Sequence, residues 1–496
     1  MENRPNVLLV TVDQWPGWLL GCAGHPVVQT PTLDQLAKNG VRFPNAYSET
    51  PICIPARRTL MTGTPPRIHG DRVFGTTTPM PIDLTTLPQA FRNAGYQAFS
   101  TGKLHVYPPR DRIGFDDALL AEEGRPHLGG TDDYDIYLAE RGFVGQHYAG
   151  GMNNNGYMHR PWHLPEDCHS TNWLTQSMCR VIKRRDPTRP AFWYLSYTHP
   201  HPPLTPLASY MNYYRQFTPP EAWWGDWCDN PDALPLPLKM ARNYWPMLSG
   251  DALVEMRRAF YALCTHIDHQ FRVVLGTLRE EGLLDDTIIL FTADHGDMIG
   301  DYGLYAKRVY YEGSARVPMI LVGTAGDQRL PAGTVDNRLV GLADVMPTLL
   351  DLAGVSVPTE VEGMKMHAAP KRATLYGDCL ENRGATRMIH DGRHKLIWYP
   401  AANIRHLFDL EIDPIEQVNR AGDPAYADVQ ARLEAAMVAA SWGSDLTEGW
   451  VRDGKLVGFD PGPYVPMPDR SWGGQRGIHF PPPPNLAQDK MVGFPG

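Results

Sequence analysis

A cysteine stands at the start of a short helical stretch in a setting that favours an anion. Cys53 is followed by Pro55, whose missing N–H and fixed φ suit the first turn of a helix, and Gly63 can end that helix. The free N–H groups at a helix N-terminus attract negative charge, and Arg57, one turn along, adds a fixed positive charge. The spacing therefore predicts a binding place for an oxyanion beside residue 53.

Two other interpretations of this cysteine are weaker. A lone cysteine is most often an inert core residue, but the proline, the arginine and the Leu-Met-Thr-Gly tail at 60–63 argue against that interpretation. A phosphatase that uses a thiolate needs an arginine further along its loop, where this chain has Thr59. The spacing excludes that class of enzyme.

Two pairs of polar residues directly follow two predicted strands. Asp13 and Gln14 come after one apolar run, and Asp294 and His295 come after another. Ligands of an open α/β sheet gather beyond the carboxyl ends of its strands, so the two pairs can converge. Either pair alone is more often a turn or a helix cap. Together, two carboxylates, an amide oxygen and an imidazole suit one divalent cation.

The cysteine motif resembles a known signature. Residues 53–63 read Cys-Ile-Pro-Ala-Arg-Arg-Thr-Leu-Met-Thr-Gly, which resembles the C-x-P-x-R and L-x-T-G pattern of the sulfatases, members of the alkaline phosphatase superfamily. In that family an enzyme oxidises the cysteine to formylglycine, whose hydrate attacks a sulfate or phosphate ester. The resemblance implies that Cys53 is the precursor of the nucleophile, that Arg57 belongs to the catalytic site, and that a formylglycine-generating enzyme acts during maturation.

The two polar pairs also match the sulfatase pattern. The second pair stands in the family's D-H-G context, Asp294-His295-Gly296, and the first pair is often Asp-Asp. The resemblance implies that Asp13, Gln14, Asp294 and His295 hold a divalent metal together with the group at position 53. Gln14 departs from the commoner aspartate, as in choline sulfatases and phosphonate monoester hydrolases. Ca²⁺ and Mn²⁺ both stay open, because calcium prefers all-oxygen ligation whereas manganese accepts imidazole.

Three further stretches resemble sulfatase motifs that contact the ester. Residues 102–105 read G-K-L-H, residues 200–203 read P-H-P-P, and Lys307 matches the lysine that follows D-H-G in the family. The resemblance implies substrate binding by Lys103, His201 and Lys307. His199 is a nearby alternative to His201, but the P-H-x-P register favours His201.

The resemblance also implies catalytic roles. Asp294 would help to ionise the aldehyde hydrate derived from Cys53, and His201 would protonate the departing alcohol. His105 would deprotonate the second hydroxyl of the hydrate, so that sulfate leaves and the aldehyde is regenerated. The implied activity is an arylsulfatase-like hydrolysis of sulfate monoesters, with promiscuity toward phosphate and phosphonate esters.

Two other classes of protein share part of this pattern with the sulfatases. A phosphonate monoester or phosphodiester hydrolase of the same superfamily shares the Asp-Gln and Asp-His pairs, but the resemblance gives those enzymes Tyr and Thr where this chain has Lys103 and His105. A non-catalytic relative would lack several of these residues, and nearly every expected position is filled. The leaving group stays open among aryl, alkyl, choline and carbohydrate moieties.

Composition excludes several other classes. Lys and Arg total 46 against 55 Asp and Glu in 496 residues, and no basic stripe points to a nucleic-acid partner. No apolar run approaches the ~20 residues of a membrane span, and because a core strand is predicted to begin at Asn6, we expect no signal peptide. The seven cysteines are scattered, which favours a reducing, cytoplasmic setting.

The coarse pattern predicts an α/β protein. Strands at 6–11, 96–100, 191–197 and 287–292 alternate with helices at 87–93 and 252–281, and a capping box at 32–35 opens another helix that Gly40 closes. We expect a three-layer α/β/α alkaline-phosphatase-like domain with a mainly parallel central sheet at 1–370. A small antiparallel α+β subdomain follows at 371–444, with strands at 396–399 and 406–410 and a helix at 426–442.

The last segment, 445–496, is rich in Pro and Gly and is expected to be extended. Its aromatic residues could anchor it on a neighbouring subunit in a homo-oligomer, or at the active-site mouth; they are Trp450, Phe459, Tyr464, Trp472 and Phe480. A second aromatic group lines a leaving-group pocket or merely packs the domain, and consists of Tyr210, Tyr213, Tyr214, Trp223, Trp224 and Trp227.

Overall fold

A large twisted sheet forms the centre of the N-terminal part of the protein. The computed structural model describes residues 4–123, 131–148, 150, 154–245 and 247–466. The strands of this part are β1 (Asn6–Asp13), β2 (Val41–Arg42), β3 (Ala46–Tyr47), β4 (Gln97–Gly102), β5 (Asp117–Leu120), β6 (Ala191–Pro200), β7 (Thr287–Ala293), β8 (Met319–Val322), β9 (Thr334–Val335) and β10 (Val340–Gly341).

Five neighbouring strands of this sheet run in the same direction. The order is β5-β4-β6-β1-β7-β8-β2-β9, and β5, β4, β6, β1 and β7 pair in parallel. β8 pairs antiparallel with both of its neighbours, and β3 and β10 form a separate pair. β1, at the centre, is buried over its whole length because both faces of the sheet are covered. The predicted mainly parallel sheet is confirmed, and the carboxyl ends of five strands meet at one edge.

Helices cover both faces of the sheet. In chain order they are α1 (Pro31–Asn39), α2 (Cys53–Thr62), α3 (Pro66–His69), α4 (Leu87–Asn93), α5 (Asp133–Glu140), α6 (Ser170–Lys183), α7 (Ala208–Tyr214), α8 (Leu236–Tyr244), α9 (Asp251–Glu280), α10 (Glu312–Ala315) and α11 (Val345–Leu352). α6 and α9 pack on each other and on β6, whereas α2, α4 and α11 pack together and α4 lies against β4.

One predicted helix start is wrong. The capping box at 32–35 does not form, because α1 begins at Pro31 with Thr30 as its N-cap residue. The N–H groups of Thr32 and Leu33 donate instead to the carboxylate of Asp268 on α9, at 3.0 and 2.8 Å. A carboxylate from another helix satisfies the free N–H groups that a local capping box would have satisfied.

A second, antiparallel sheet follows in the C-terminal part, as predicted. Its strands are β11 (Leu375–Cys379), β12 (Thr386–His390), β13 (His394–Tyr399) and β14 (Ile404–Asp409), paired in that order. The helix α12 (Ala427–Ala440) packs on β12 and β13. A core that includes Leu396, Trp398 and Leu433 lies between the sheet and this helix.

The beginning of the predicted extended tail has regular structure. Beyond α12 the chain forms α13 (Ser444–Thr447) and a hairpin of β15 (Val451–Arg452) and β16 (Lys455–Leu456). Trp450 is buried and stacks on Phe459 at 5.0 Å. The Pro and Gly content concealed this small element, whose aromatic residues give it a core. Trp472 and Phe480 lie outside the described residues. Across the described residues, no helix combines the length and the apolar character that crossing a membrane requires.

Candidate active site

The residues singled out from the sequence meet at one edge of the sheet. Polar side chains follow the carboxyl ends of parallel strands there, and the N-terminus of α2 points at the same place. Two groups come from α2, and Lys307 comes from the loop before α10. The strand-end residues are Asp13 as the last residue of β1 and Gln14 after it, Lys103 and His105 after β4, His201 after β6, and Asp294 and His295 after β7. Such an edge is where ligands of α/β sheets bind.

Cys53 opens α2, as the sequence predicts. Ile52, in extended conformation, is the N-cap residue, and Gly63 ends the helix with φ of 63°. The Cys53 side chain is buried, with its Sγ 3.2 Å from Nε2 of His295 and 3.8 Å from a carboxylate oxygen of Asp13. Burial and Asp13 act to raise the pKa of the thiol, but cationic neighbours, Lys103 the strongest of them, outweigh both and lower it.

Four side chains present ligand atoms to one point. The ligand atoms of Asp13, Cys53, Asp294 and His295 all lie within 4.8 Å of one another, and all four residues are buried. Nδ1 of His295 donates to the carbonyl oxygen of Gly296 at 2.9 Å, which leaves Nε2 with its lone pair toward the cluster. This donor set, with a fixed imidazole orientation, fits a divalent cation.

Arg57 forms ion pairs with the carboxylates of both Asp13 and Asp294. Its Nε donates to Asp294 at 2.9 Å, and its guanidinium reaches Asp13 at 3.4 Å. The same side chain donates to the carbonyl oxygen of Lys103 at 2.8 Å and to the hydroxyl of Ser196 at 2.7 Å. Arg57 is buried, and the adjacent carboxylates raise its pKa further despite the opposing effect of burial. It therefore links α2 to the ends of four strands.

Lys103 is a buried cation between two carboxylates. Its Nζ lies 2.5 Å from Asp13 and 2.5 Å from Glu123. Burial acts to raise the pKa of Asp13, but Lys103 and the other surrounding cations hold it well below its usual range. Asp13 is therefore ionised, as a metal-binding carboxylate must be.

Gln14 and Lys307 contact each other. Nζ of Lys307 donates to the amide oxygen of Gln14 at 2.6 Å, and the amide nitrogen of Gln14 donates to Asp297 and to the hydroxyl of Tyr157, at 2.5 and 2.8 Å. Asp297 also accepts from the N–H of Ala306, next to Lys307. The amide oxygen of Gln14 therefore accepts a hydrogen bond from Lys307 in this structure. The role of Gln14 as a metal ligand stays a prediction.

The two ester-site histidines have different surroundings. Nδ1 of His201 lies 2.7 Å from the carbonyl oxygen of Pro202 and 3.6 Å from Glu123. Burial lowers the pKa of His201 to about 3, and Glu123 is the strongest influence in the opposite direction. His105 has φ of 58°, and its ring packs edge-on against Phe74 at 5.6 Å.

His199 lines the same cavity as His201, so the choice of His201 as the ester-site histidine stays a prediction. Its Nδ1 contacts the carbonyl oxygen of His201 at 3.1 Å, and its ring packs on His169. A cavity beside His201 extends the site, and its lining includes Glu123, Tyr134, His147, Tyr148 and Trp162.

The aromatic group at 210–227 does not line this cavity among the described residues. Trp227 stacks on Tyr311 at 4.6 Å, Trp223 packs on Trp18, and Tyr214 is buried against α9. Of the two interpretations left open for that group, the packing role is the one that these contacts support.

Comparison with known proteins identifies the family. The sulfatase family model matches residues 5–355, and the family described as N-sulphoglucosamine sulphohydrolase, C-terminal, matches residues 300–441. An arylsulfatase of Clostridium perfringens is 32% identical over 472 residues, which cover 92% of this chain and 97% of that protein. A choline-sulfatase of Rhizobium meliloti is 30% identical over 475 residues, covering 91% and 89%. The chain belongs to the sulfatase family.

Solved structures agree with this fold. A phosphonate monoester hydrolase of Agrobacterium radiobacter superposes with a TM-score of 0.75 at 24% identity, over 92% of this sulfatase and all of that chain (100%). A phosphonate monoester hydrolase from Silicibacter pomeroyi superposes with a TM-score of 0.74 at 25% identity, over 88% of this chain and 95% of that chain. The alkaline-phosphatase-like fold expected from the sequence is confirmed.

As a sulfatase, the protein is a hydrolase of sulfuric ester bonds. Family membership implies a divalent metal ion and conversion of the signature cysteine to formylglycine. In this structure the Sγ of Cys53 stands where the oxygen atoms of that group would lie, within the cluster of ligand atoms. The described residues of the sulfatase therefore fit both the modification and the metal.

Two acidic residues at the site, Glu123 and Asp297, have no clear signal in the sequence. Glu123 follows β5, a short strand that the sequence pattern had not revealed, so nothing marked it as a strand-end residue. Asp297 lies two residues beyond His295 and was visible as the last letter of Asp-His-Gly-Asp, but its partner Tyr157 is remote in sequence. Such contacts depend on tertiary structure and leave no local pattern.

Proposed function

We propose that this chain hydrolyses sulfate monoesters with a nucleophile derived from Cys53. The observation that carries the proposal is the position of Cys53. Its Sγ lies at a helix N-terminus, against Asp13 and His295, and Arg57 is one turn away. An aldehyde hydrate at this place would face a sulfur atom held by positive charge on several sides. A formylglycine-generating enzyme is the partner that this chemistry requires during maturation.

The proposed metal ligands are Asp13, Asp294, His295 and the group at position 53, with Gln14 as a further oxygen donor. When bound, the divalent ion supplies positive charge that neutralises the ester and lowers the pKa of a nearby hydroxyl. Asp294 accepts from Arg57 and from the N–H groups of Gln14 and His295, so its carboxylate is held in one orientation. Because the donor set mixes carboxylates with an imidazole, Mn²⁺ and Ca²⁺ are both candidates.

Lys103 and Lys307 are proposed to bind the sulfate oxygens. Each is buried and now contacts an oxygen acceptor, Asp13 for Lys103 and the amide oxygen of Gln14 for Lys307. A sulfate group would offer both lysines a new acceptor in the same space. Their fixed positions mean that little reorganisation is needed when charge moves during the reaction.

The two histidines are proposed to move protons at opposite stages. His201 gives a proton to the departing oxygen, and His105 takes one from the second hydroxyl at residue 53 so that sulfate is released. The cavity beside His201 supports its place on the leaving-group side. His105 follows β4 on the same loop as Lys103, which supports its place near the sulfate oxygens.

A side activity on phosphonate monoesters or phosphodiesters is proposed as well. The observation in its favour is the polar set of Gln14 with His295, together with the likeness to phosphonate monoester hydrolase structures. Both ester classes present a tetrahedral anion to the same cations. The buried cation of Lys103 favours the sulfate monoester as the better substrate.

The proposal is tested with purified protein on para-nitrophenyl sulfate and on para-nitrophenyl phenylphosphonate. We expect the higher kcat/KM on the sulfate, no turnover in Cys53→Ala, and at most a single turnover in Cys53→Ser, because a serine adduct has no second hydroxyl with which to expel sulfate. A Cys53→Ser variant that turns over near the parent rate would refute the aldehyde step. A higher kcat/KM on the phosphonate would assign the chain to the alternative activity.

A homo-oligomer that uses the C-terminal tail and a cytoplasmic location remain predictions. What supports the first is the row of aromatic residues in the tail, of which Trp450 is anchored within its own subunit. What supports the second is the scattered set of seven cysteines.

A further inference from the structure

A single carboxylate oxygen lies between two groups of the proposed ester site. Oε1 of Glu123 is 2.5 Å from Nζ of Lys103 and 3.6 Å from Nδ1 of His201. The side chains of all three residues are buried, with 6% exposure for Glu123. At these distances the carboxylate pairs with the Lys103 ammonium and would stabilise a proton on His201, because little water screens the interaction.

The backbone holds Glu123 in this position. Glu123, Lys103 and His201 follow the carboxyl ends of β5, β4 and β6, which are neighbours in the sheet. Glu123 has φ of 56°, a left-handed conformation that costs free energy for a residue with a side chain. Its carbonyl oxygen accepts from the hydroxyl of Tyr148 at 2.8 Å. Surrounding structure therefore keeps a strained residue where its carboxylate meets both partners.

We propose that Glu123 is a positioning residue for cleavage of the ester bond, which holds His201 in the orientation and charge state that protonate the leaving group. This inference rests on the proposed function. Nδ1 of His201 faces the carbonyl oxygen of Pro202 and the carboxylate of Glu123, so its hydrogen lies on that side. Nε2 is then the nitrogen that is left to serve the bridging oxygen.

Cleavage of the ester moves one proton onto the leaving oxygen. A hydroxyl oxygen of residue 53, whose own proton would go to Asp294, forms a bond to sulfur while the bond from sulfur to the bridging oxygen breaks, and that electron pair stays on the bridging oxygen. The imidazolium of His201 gives its Nε2 proton to this oxygen and becomes neutral, retaining the hydrogen on Nδ1. Glu123 transfers no proton. Burial and Lys307 keep His201 neutral while the site holds no substrate, so its imidazolium forms only when the negative charge of the bound ester adds to that of Glu123.

If Glu123 supports protonation of the leaving group, the effect of losing it depends on the leaving group, whereas the effect of losing a purely structural residue does not. A leaving group that is a good anion departs without a proton, whereas a poor one depends on protonation, so loss of Glu123 should be felt mainly by poor leaving groups. The test compares kcat/KM for para-nitrophenyl sulfate and for unsubstituted phenyl sulfate in the parent and in Glu123→Gln. Both substrates see the same preparation, so incomplete folding or incomplete formylglycine formation cancels in the ratio.

We expect Glu123→Gln to lower kcat/KM for phenyl sulfate about 10- to 100-fold more than that for para-nitrophenyl sulfate, part of the 10²–10⁴-fold that general acid catalysis contributes. Any effect that reaches the sulfate through Lys103 is shared by the two substrates and cancels in this ratio. Glu123→Asp, which keeps the charge, should recover part of the loss on phenyl sulfate. Glu123→Ala should show the same selectivity as Glu123→Gln.

The matched control is Glu122→Gln. The carboxylate of Glu122 accepts from the N–H groups of Leu104 and His105 at 2.7 and 2.8 Å, so it supports the neighbouring loop. Its replacement should lower kcat/KM for both substrates by the same factor. An equal fall for both substrates in Glu123→Gln would overturn the inference while the proposed function stands. A parent enzyme that is converted to formylglycine yet hydrolyses neither sulfate would overturn the proposed function and this inference with it.

Discussion

Arg57 is the residue on which the geometry of the site depends most. It contacts the carboxylates of Asp13 and Asp294, and it holds the backbone of Lys103. The two carboxylates lie close together and would repel each other without a cation behind them. Because the guanidinium is planar and has donors in several directions, it satisfies all of these acceptors at once, which a lysine cannot do.

Replacing Arg57 tests this interpretation. Arg57→Lys keeps the charge but loses most of the donors, so the ligand carboxylates shift and both metal content and activity should fall. We expect kcat/KM to fall by about 10²-fold or more, as small displacements at a reacting centre do. Steady-state kinetics and metal analysis of the purified protein provide the measurement.

Arg58→Lys is the matched control, one residue along the same helix. Arg58 lies 3.6 Å from Asp71 and donates to the carbonyl oxygen of Thr78, away from the metal ligands. This variant should keep its metal and most of its activity. Equal losses in the two variants would show that α2 is merely sensitive to any change.

At the scale of elements, the site is assembled from strand ends and one helix terminus. α2 is fixed in part by α3, where Nε2 of His69 hydrogen-bonds to Oγ1 of Thr59 at 2.9 Å. Burial, followed by the nearby Arg58, lowers the pKa of His69 to about 3. His69 is therefore neutral in the folded protein at any pH at which the enzyme would work.

This neutral histidine predicts a pH effect on stability. The pKa of a histidine in an unfolded chain is about 6.5, so below that pH the unfolded chain binds a proton that the folded chain refuses. The contribution of neutral His69 to the free energy of unfolding is fully present above about pH 6.5. It falls by up to about 1.4 kcal/mol per pH unit as the pH drops toward 3.

Denaturant unfolding of His69→Gln at about pH 7 and about pH 5 measures the effect. Between these two pH values the free energy of unfolding should fall by about 1–2 kcal/mol less in the variant than in the parent, because the variant has no imidazole at position 69 to protonate. His163→Gln, at an exposed histidine, should behave like the parent. A parent and a His69→Gln variant with the same pH dependence would contradict the assignment.

The sequence predicted the elements whose signals are local. The strand that ends at Asp13, the long helix α9 and the cysteine at the start of α2 all have apolar periodicity, a proline or a terminal glycine within a few residues. Contacts made across the fold had no such signal. Asp268 caps α1 from α9, and Glu123 reaches Lys103 from the segment that follows a strand of only four residues.

At the scale of the whole molecule, the C-terminal part is joined to the active-site side through buried charges. Asp445, on α13, accepts from Arg387 on β12 at 2.6 Å and from Arg72 at 3.4 Å. Arg72 also stacks on Trp442 and lies two residues before Phe74, whose ring contacts His105. The segment after α12 thus supports a loop at the border of the site.

Removing the charge of Asp445 should weaken this junction. In Asp445→Asn two buried guanidinium groups lose a carboxylate partner, and burial of Arg387 leaves water little access. We expect the free energy of unfolding to fall by about 3 kcal/mol, as for other broken buried ion pairs. Asp453→Asn, at an exposed position in the hairpin, is the control and should change it by less than about 0.5 kcal/mol.

The same junction indicates where the tail should be cut. A truncation at Ser444 removes Asp445 and with it a structural contact, so it cannot report on oligomerisation alone. Deletion of 467–496 leaves the described residues intact. If the tail joins subunits, this deletion should lower the mass measured by light scattering to that of one chain, whereas an unchanged oligomer would contradict that role.

An aldehyde made from Cys53 is the group on which turnover should depend. Mass spectrometry of the peptide that contains residue 53, taken from preparations of different specific activity, measures how much of it has formed. We expect a peptide lighter by about 18 Da than the cysteine form, in a fraction that rises in proportion to kcat per chain. An active preparation in which this peptide carries only unmodified cysteine would refute the role of the aldehyde.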